Sequence, residues 1–274
     1  MFSLSRSFRC GRSVLVAAIL LASLGARPAF AANYDYTDSW YTPAESGWGV
    51  NFTQSDNFIF ATFFIYGADK KPTWYTGQMT WDGASKFTGG LYLTQGSYFA
   101  LPWVPADSPP ATLVGTATFT PSTANNYQGT LTYTVNNVGT VTKAIQRLTL
   151  TPVRLVANYV GGQSGSYSSC NSSASNSLYQ DFYTLEVTQT GTSASLRFSY
   201  QSGTPMTCTL AGNLTQTGTL ARIANATYQC SNGLMTNASV YDLKATPLGI
   251  EGQFSALAVG DGCREDARFS ATLD

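Results

Sequence analysis

The feature that most limits what this chain can fold into is a rhythm. From about residue 38 onward, short runs rich in Val, Ile, Thr, Tyr and Phe alternate with Gly, Asn, Asp, Ser and Pro. β-Branched and aromatic side chains suit a pleated, half-buried surface, and the residues between the runs form turns. The rhythm predicts strands near Trp40 and over 47–54, 57–66, 72–81, 87–103 (interrupted), 112–120, 127–136 and 139–150. A second set is predicted over 164–169, 181–190, 193–201, 206–216, 219–230, 236–245, 249–259 and 265–273. Turns such as Ser55-Asp56-Asn57, Asn136-Asn137 and Thr190-Gly191-Thr192 are short enough for hairpins. Eight strands joined by sequential hairpins close most simply into an up-and-down barrel. The expected fold is therefore all-β: two tandem small antiparallel meander barrels of lipocalin or avidin size, with a pair of open sandwiches as the alternative.

Composition narrows the function. Of 274 residues, 11% are charged, 43% hydrophobic and 13% aromatic, as in a β-rich extracellular protein and unlike a disordered one. Histidine is absent, which excludes Ser-His-Asp and Cys-His catalysis, histidine metal sites and a histidine pH switch. Residues 1–31 read as a Sec-type signal: Arg6, Arg9 and Arg12, then an apolar run from Val14 to Leu24, then Ala29-Phe30-Ala31 as a small-x-small cleavage site. The remaining chain keeps 11 basic against 15 acidic residues, so nucleic acid is not an expected partner. No later segment approaches the roughly 20 apolar residues of a membrane helix. The expected destination is the periplasm or the exterior.

Four cysteines follow the signal, Cys170, Cys208, Cys230 and Cys263, and their spacing contains no C-x-x-C element. An even number in an exported chain points to two disulfides and to no metal. Cys208 and Cys230 flank a predicted hairpin centred on Thr217-Gly218-Thr219, which sets them opposite each other. Cys170 follows the first strand of its half and Cys263 precedes the last, so barrel closure makes them neighbours. All four fall at one barrel end, which leaves other pairings open.

All five tryptophans, Trp40, Trp48, Trp74, Trp81 and Trp103, precede the cysteines. This shift places a boundary in the Gly/Ser-rich stretch near 157, giving a Trp-rich domain over 32–156 and a disulfide-containing domain over 157–274. The halves also resemble each other. Val50-Asn-Phe-Thr-Gln-Ser-Asp matches Leu185-Glu-Val-Thr-Gln-Thr-Gly at an offset of 135, a pattern one internal duplication would leave.

The most unusual stretch is Pro43-Ala-Glu-Ser-Gly-Trp-Gly-Val-Asn51, followed by Phe60-Ala-Thr-Phe-Phe-Ile-Tyr66 and Lys71-Pro-Thr-Trp-Tyr75. It resembles a block in uncharacterised secreted bacterial proteins, ESGWGxN then FATxFxY then KPxWY. The resemblance covers residues 43–75, with a weaker echo over 140–147, and implies no activity. In a meander, the loops carrying Glu45, Asp69 and Trp103 open on one end of the first barrel. Glu45, Trp48, Asn51, Asp69, Trp74, Tyr75 and Trp103 are the candidate ligand-binding residues, since ring faces bury apolar area while acids fix orientation. Trp48 and Trp74 are expected within a ring diameter of each other on neighbouring strands. The bland alternative has these rings simply filling a small barrel.

These observations favour a non-enzymatic binding protein for a saccharide or small amphipathic ligand. A protein-binding module, such as a hydrolase inhibitor or adhesion unit, is the second reading. A hydrolase using carboxylates alone, for example Glu45 with Asp69, is the third. No pattern for a cofactor is present. Asp261-Gly-Cys-Arg-Glu-Asp266 lacks the D-x-D-x-D-G order of a calcium loop and reads as a disulfide-anchored turn.

Overall fold

A computed structural model describes residues 34–203 and 205–274; the expected signal segment lies outside these residues. The first half forms β1 (Asp38–Tyr41), β2 (Gly49–Ser55), β3 (Phe58–Tyr66), β4 (Pro72–Trp81), β5 (Phe87–Leu93), β6 (Thr112–Pro121), β7 (Gln128–Val135) and β8 (Gly139–Arg147). Each strand pairs antiparallel with the next, and β1 pairs with β8 to close the ring. The second half forms β9 (Ala157–Ser168), β10 (Ser177–Thr190), β11 (Ser193–Tyr200), β12 (Met206–Asn213), β13 (Thr215–Thr217), β14 (Leu220–Cys230), β15 (Met235–Thr246), β16 (Gly249–Val259) and β17 (Cys263–Leu273). Here β9 pairs with β17 and β12 with β14, so eight long strands close a second barrel and the short β13 extends β12 along β14.

Alternation along the strands fills both interiors. In the first barrel Trp40, Phe52, Phe63, Phe87 and Phe119 are fully buried, and the ring centroids of Phe52 and Phe119 lie 4.9 Å apart. In the second, Leu185, Leu196, Leu210, Ile223 and Leu243 fill the interior with Phe198 and Phe254. Edge-to-face contacts such as Tyr183 with Phe198 (4.9 Å, 85°) add to that burial.

The same device starts both barrels. Gln54 accepts from the Tyr36 N–H (2.9 Å) and donates to the carbonyls of Tyr34 and Asp56. Gln189 accepts from the Leu155 N–H (3.2 Å) and donates to the carbonyls of Val153 and Gly191. In each case a glutamine at the end of a hairpin strand holds the incoming chain, and a ring four residues on caps the carbonyl of the residue whose N–H the glutamine accepts: Trp40 Nε1 on Tyr36 O, Tyr159 hydroxyl on Leu155 O. Equivalent residues in equivalent roles support one duplicated unit.

Two segments depart from expectation. β9 begins at Ala157, so the glycines taken as linker lie inside a strand. They are needed there because a Cβ at Gly161 would stand 2.1 Å from the Ser270 carbonyl of β17. β5 ends at Leu93 and residues 94–111 form a loop; the four prolines between 102 and 110 lack the donors a ladder requires, so no strand resumes before Thr112.

The disulfides join Cys208 to Cys230 and Cys170 to Cys263. The first links directly opposed residues of a hairpin whose tip is Gly218-Thr219, with Gly218 at φ +67°, the first-position glycine of a II′ turn. The second bridges the β9–β17 seam beside the Ser168–Arg264 pair.

The barrels meet through that hairpin tip. Asp38 Oδ2 accepts from Arg147 Nη1 (3.2 Å), Thr219 N (2.9 Å) and Thr219 Oγ1 (2.9 Å). The connecting segment is strapped down: Gly218 N donates to Thr149 Oγ1, and Gln216 brackets Val153 N and Thr151 O.

Candidate functional site

The meander puts the loops after β1, β3, β5 and β7 on one end of the first barrel, away from the second. Glu45, Asp69 and Trp103 lie in these loops. What the end presents differs from an open, ring-lined mouth.

Inside, the end is plugged. Trp48 follows the inward phase of Val50 and Phe52, and its Nε1 donates to the Tyr133 hydroxyl at 3.4 Å. Lys143, inward on β8, lies 5.1 Å above the Trp48 ring and is ion-paired with Glu45. Tyr75 packs on the core beneath. Glu45 and Trp48 thus come together through a lysine that the expected set omitted. The inward phase of β8, with Ile145 and Arg147 also buried, is the signal that identifies it.

Outside, the end is aromatic. β3 turns Phe60, Phe64 and Tyr66 outward, and Phe64 is paired in register with Trp74 of β4. The Phe64 and Trp74 rings meet edge to face at 5.0 Å, with Trp74 half exposed. The Tyr66 ring lies against Gly47, where a Cβ would stand 3.0 Å from its hydroxyl; Gly47 also has φ +84°, a conformation that favours glycine. Asn51 is exposed on the same wall, opposite Thr62.

The expected closeness of Trp48 and Trp74 does not hold. β3 separates their strands and the two side chains take opposite faces of the wall, because adjacent Trp74 and Tyr75 cannot share a face and Tyr75 takes the inner one.

The 94–111 loop adds Tyr98, Phe99, Leu101 and Trp103, all exposed, with Phe99 at 91%. Ser97 holds the loop by hydrogen bonds to both backbone groups of Val104, and Trp103 Nε1 donates to Ser108 Oγ at 3.1 Å. Asp69 works as a turn residue, accepting from Lys71 N at 3.1 Å. With Glu45 tied to Lys143 and Asp69 to this turn, the carboxylates are occupied separately, which does not favour a paired acid and base.

The second barrel has a cavity that sequence reading missed. At the disulfide end a space of about 460 Å³ reaches inward to Glu265, which is only 2% exposed. Its Oε1 accepts a short hydrogen bond from the Tyr179 hydroxyl, which in turn accepts from Gln163 Nε2 at 3.1 Å. Burial pushes the Glu265 carboxyl upward, opposed by the Tyr179 hydrogen bond. Burial also raises the Tyr200 and Tyr228 hydroxyls far above their ordinary value.

No family model matches the chain, and no curated protein is similar to it. Among solved structures, a protein of unknown function of the DUF3598 family from Nostoc punctiforme aligns over 86% of this chain and 93% of its own, at 9% identity and a TM-score of 0.26. Among the described residues no helix is long and apolar enough to cross a membrane.

Proposed function

We propose that the chain is an exported, non-enzymatic binding protein that holds a saccharide or small amphipathic ligand against the aromatic outer surface at the loop end of its first barrel. The observation that carries this reading is the Phe64–Trp74 pair with Tyr66, displayed on the same end as the exposed Trp103 loop while the barrel interior beneath is filled. A soluble wall seldom spends large rings on solvent without a partner, and ring faces cover the CH face of a sugar while Asn51 and Thr62 supply polar contacts beside them. Two disulfides and the signal-like N-terminus support export.

All five tryptophans lie in the first half, and Trp74 and Trp103 are the two exposed at this end, so an emission change that their substitution removes reports on this surface. A panel of saccharides, fatty acids and aromatic compounds should include one that changes the emission, and Trp74→Ala or Trp103→Ala should abolish the change without moving the melting temperature. A flat response across the panel, with a protein copurifying instead, would establish the protein-binding alternative.

A further inference from the structure

The mouth of the second barrel carries an unbalanced group. Glu265 falls on the inward phase of β17 between Cys263 and Ala267, and among the described residues no lysine or arginine pairs with it. Its Oε2 is buried and has no hydrogen-bond partner. A buried carboxylate without a counter-charge is costly, by several kcal/mol, so the group either takes up a proton, the direction in which burial pushes it, or is completed by a positive group from outside the chain.

The surrounding hydrogen bonds fix what that something must offer. The Tyr200 hydroxyl donates to Gln163 Oε1 (3.3 Å), Gln163 donates to Tyr179, and Tyr179 donates to Glu265 Oε1. Every donor in this chain runs toward the carboxylate, and the vacant acceptor is Oε2. With the carboxyl ionised, the group that completes it must therefore be a donor.

The cavity walls select further. They include the rings of Tyr167 and Tyr228 and the apolar side chains of Met206, Leu234 and Val259, with Asp261 at the rim and no basic residue. Tyrosine faces attract cations, two carboxylates favour positive charge, and about 460 Å³ lies within the range of small-molecule sites.

We propose that this mouth is a second binding site, for a small organic ammonium ion with an apolar body, in which the ammonium group pairs with the Glu265 carboxylate and the body lies among the tyrosines. The site is independent of the aromatic surface on the first barrel, some distance away across the junction.

Isothermal titration of the full, disulfide-bonded chain with 2-phenylethylamine and with 2-phenylethanol tests it. The two ligands share a body and differ in charge. The amine should bind at least ten-fold tighter, and Glu265→Gln, which keeps the shape, should erase that preference. Equal affinities, absence of amine binding, or a preference that survives Glu265→Gln would overturn the proposal. Should Glu265→Gln fail to fold, Leu234→Trp at the rim serves instead: it should weaken amine binding at least ten-fold, and unchanged binding would overturn the proposal equally. Trp74→Ala should leave amine binding as it was, so failure at one barrel is distinguishable from failure at the other.

Discussion

Replacing Asp38 by alanine removes the acceptor on which the two barrels converge. Its Oδ2 receives one bond from Arg147 and two from Thr219, and the Arg147 and Asp38 side chains are 1% and 4% exposed. Truncating one member of a buried ion pair costs about 3–5 kcal/mol, because the other charge stays buried. Arg147 retains the carbonyls of Asp35, Thr37 and Asn126, which keeps the loss toward the middle of that range, about 4 kcal/mol. For a chain of this size the melting temperature should fall by roughly 8–16 °C. Urea titration read by tryptophan emission suits the measurement, since the Arg147 guanidinium lies 5.0 Å from the Trp40 ring. An Asp38→Leu/Arg147→Met double variant should lose less than the sum of its parts, the mark of coupled residues. A loss under 1 kcal/mol for Asp38→Ala, or one that disappears in 1 M salt as an exposed pair would, refutes the reasoning.

Glu265 gives a pH signature. Its folded pKa lies above the usual 4.5, so the stability this group contributes is complete below 4.5 and is lost as pH rises through the folded value. Glu265→Gln should therefore raise the melting temperature more at pH 7 than at pH 4, and equal shifts at both would contradict the assignment. For the disulfides, loops of 93 and 22 residues give chain-entropy contributions of about 4.6 and about 3.4 kcal/mol. Melts of the Cys170→Ser/Cys263→Ser and Cys208→Ser/Cys230→Ser pairs should rank in that order. Trp48→Ala should cost about 3 kcal/mol as a packed ring, and Trp74→Ala under about 1 kcal/mol as an exposed one; denaturant midpoints that fail to separate the two would contradict the inner and outer placement.

Much of the fold was legible because β-structure writes its period into the residues. Ile59, Ala61 and Phe63 are buried while Phe58, Phe60 and Phe64 are exposed, and the hairpin centred on Thr217-Gly218-Thr219 carries Cys208 opposite Cys230. The candidate site was harder to read where the period is ambiguous. Trp74-Tyr75 puts two rings side by side, so one must face out, and the ladder that decides which one runs through Phe63 and Phe64 of a different strand. Lys143 and Glu265 sit on inward phases that polarity disguised, the second inside a stretch whose glycines and acids imitate a turn. β9 was partly missed for a related reason: Gly161, Gly162 and Gly165 look like linker, yet their lack of a side chain is what lets neighbouring strands come close.

The strapped junction between the barrels has a geometric consequence. Asp38, Arg147 and the Gly218-Thr219 tip belong to the ends of the two barrels that oppose the Trp103 loop and the Cys170–Cys263 mouth respectively. These two ends therefore point away from the join, and a linker anchored at Thr149, Thr151, Val153 and Leu155 gives little freedom to swing them together. On the two binding readings proposed above, such a molecule would be two-headed: partners held at its opposite ends would not collide, and objects displaying both kinds of ligand would be cross-linked at a fixed span.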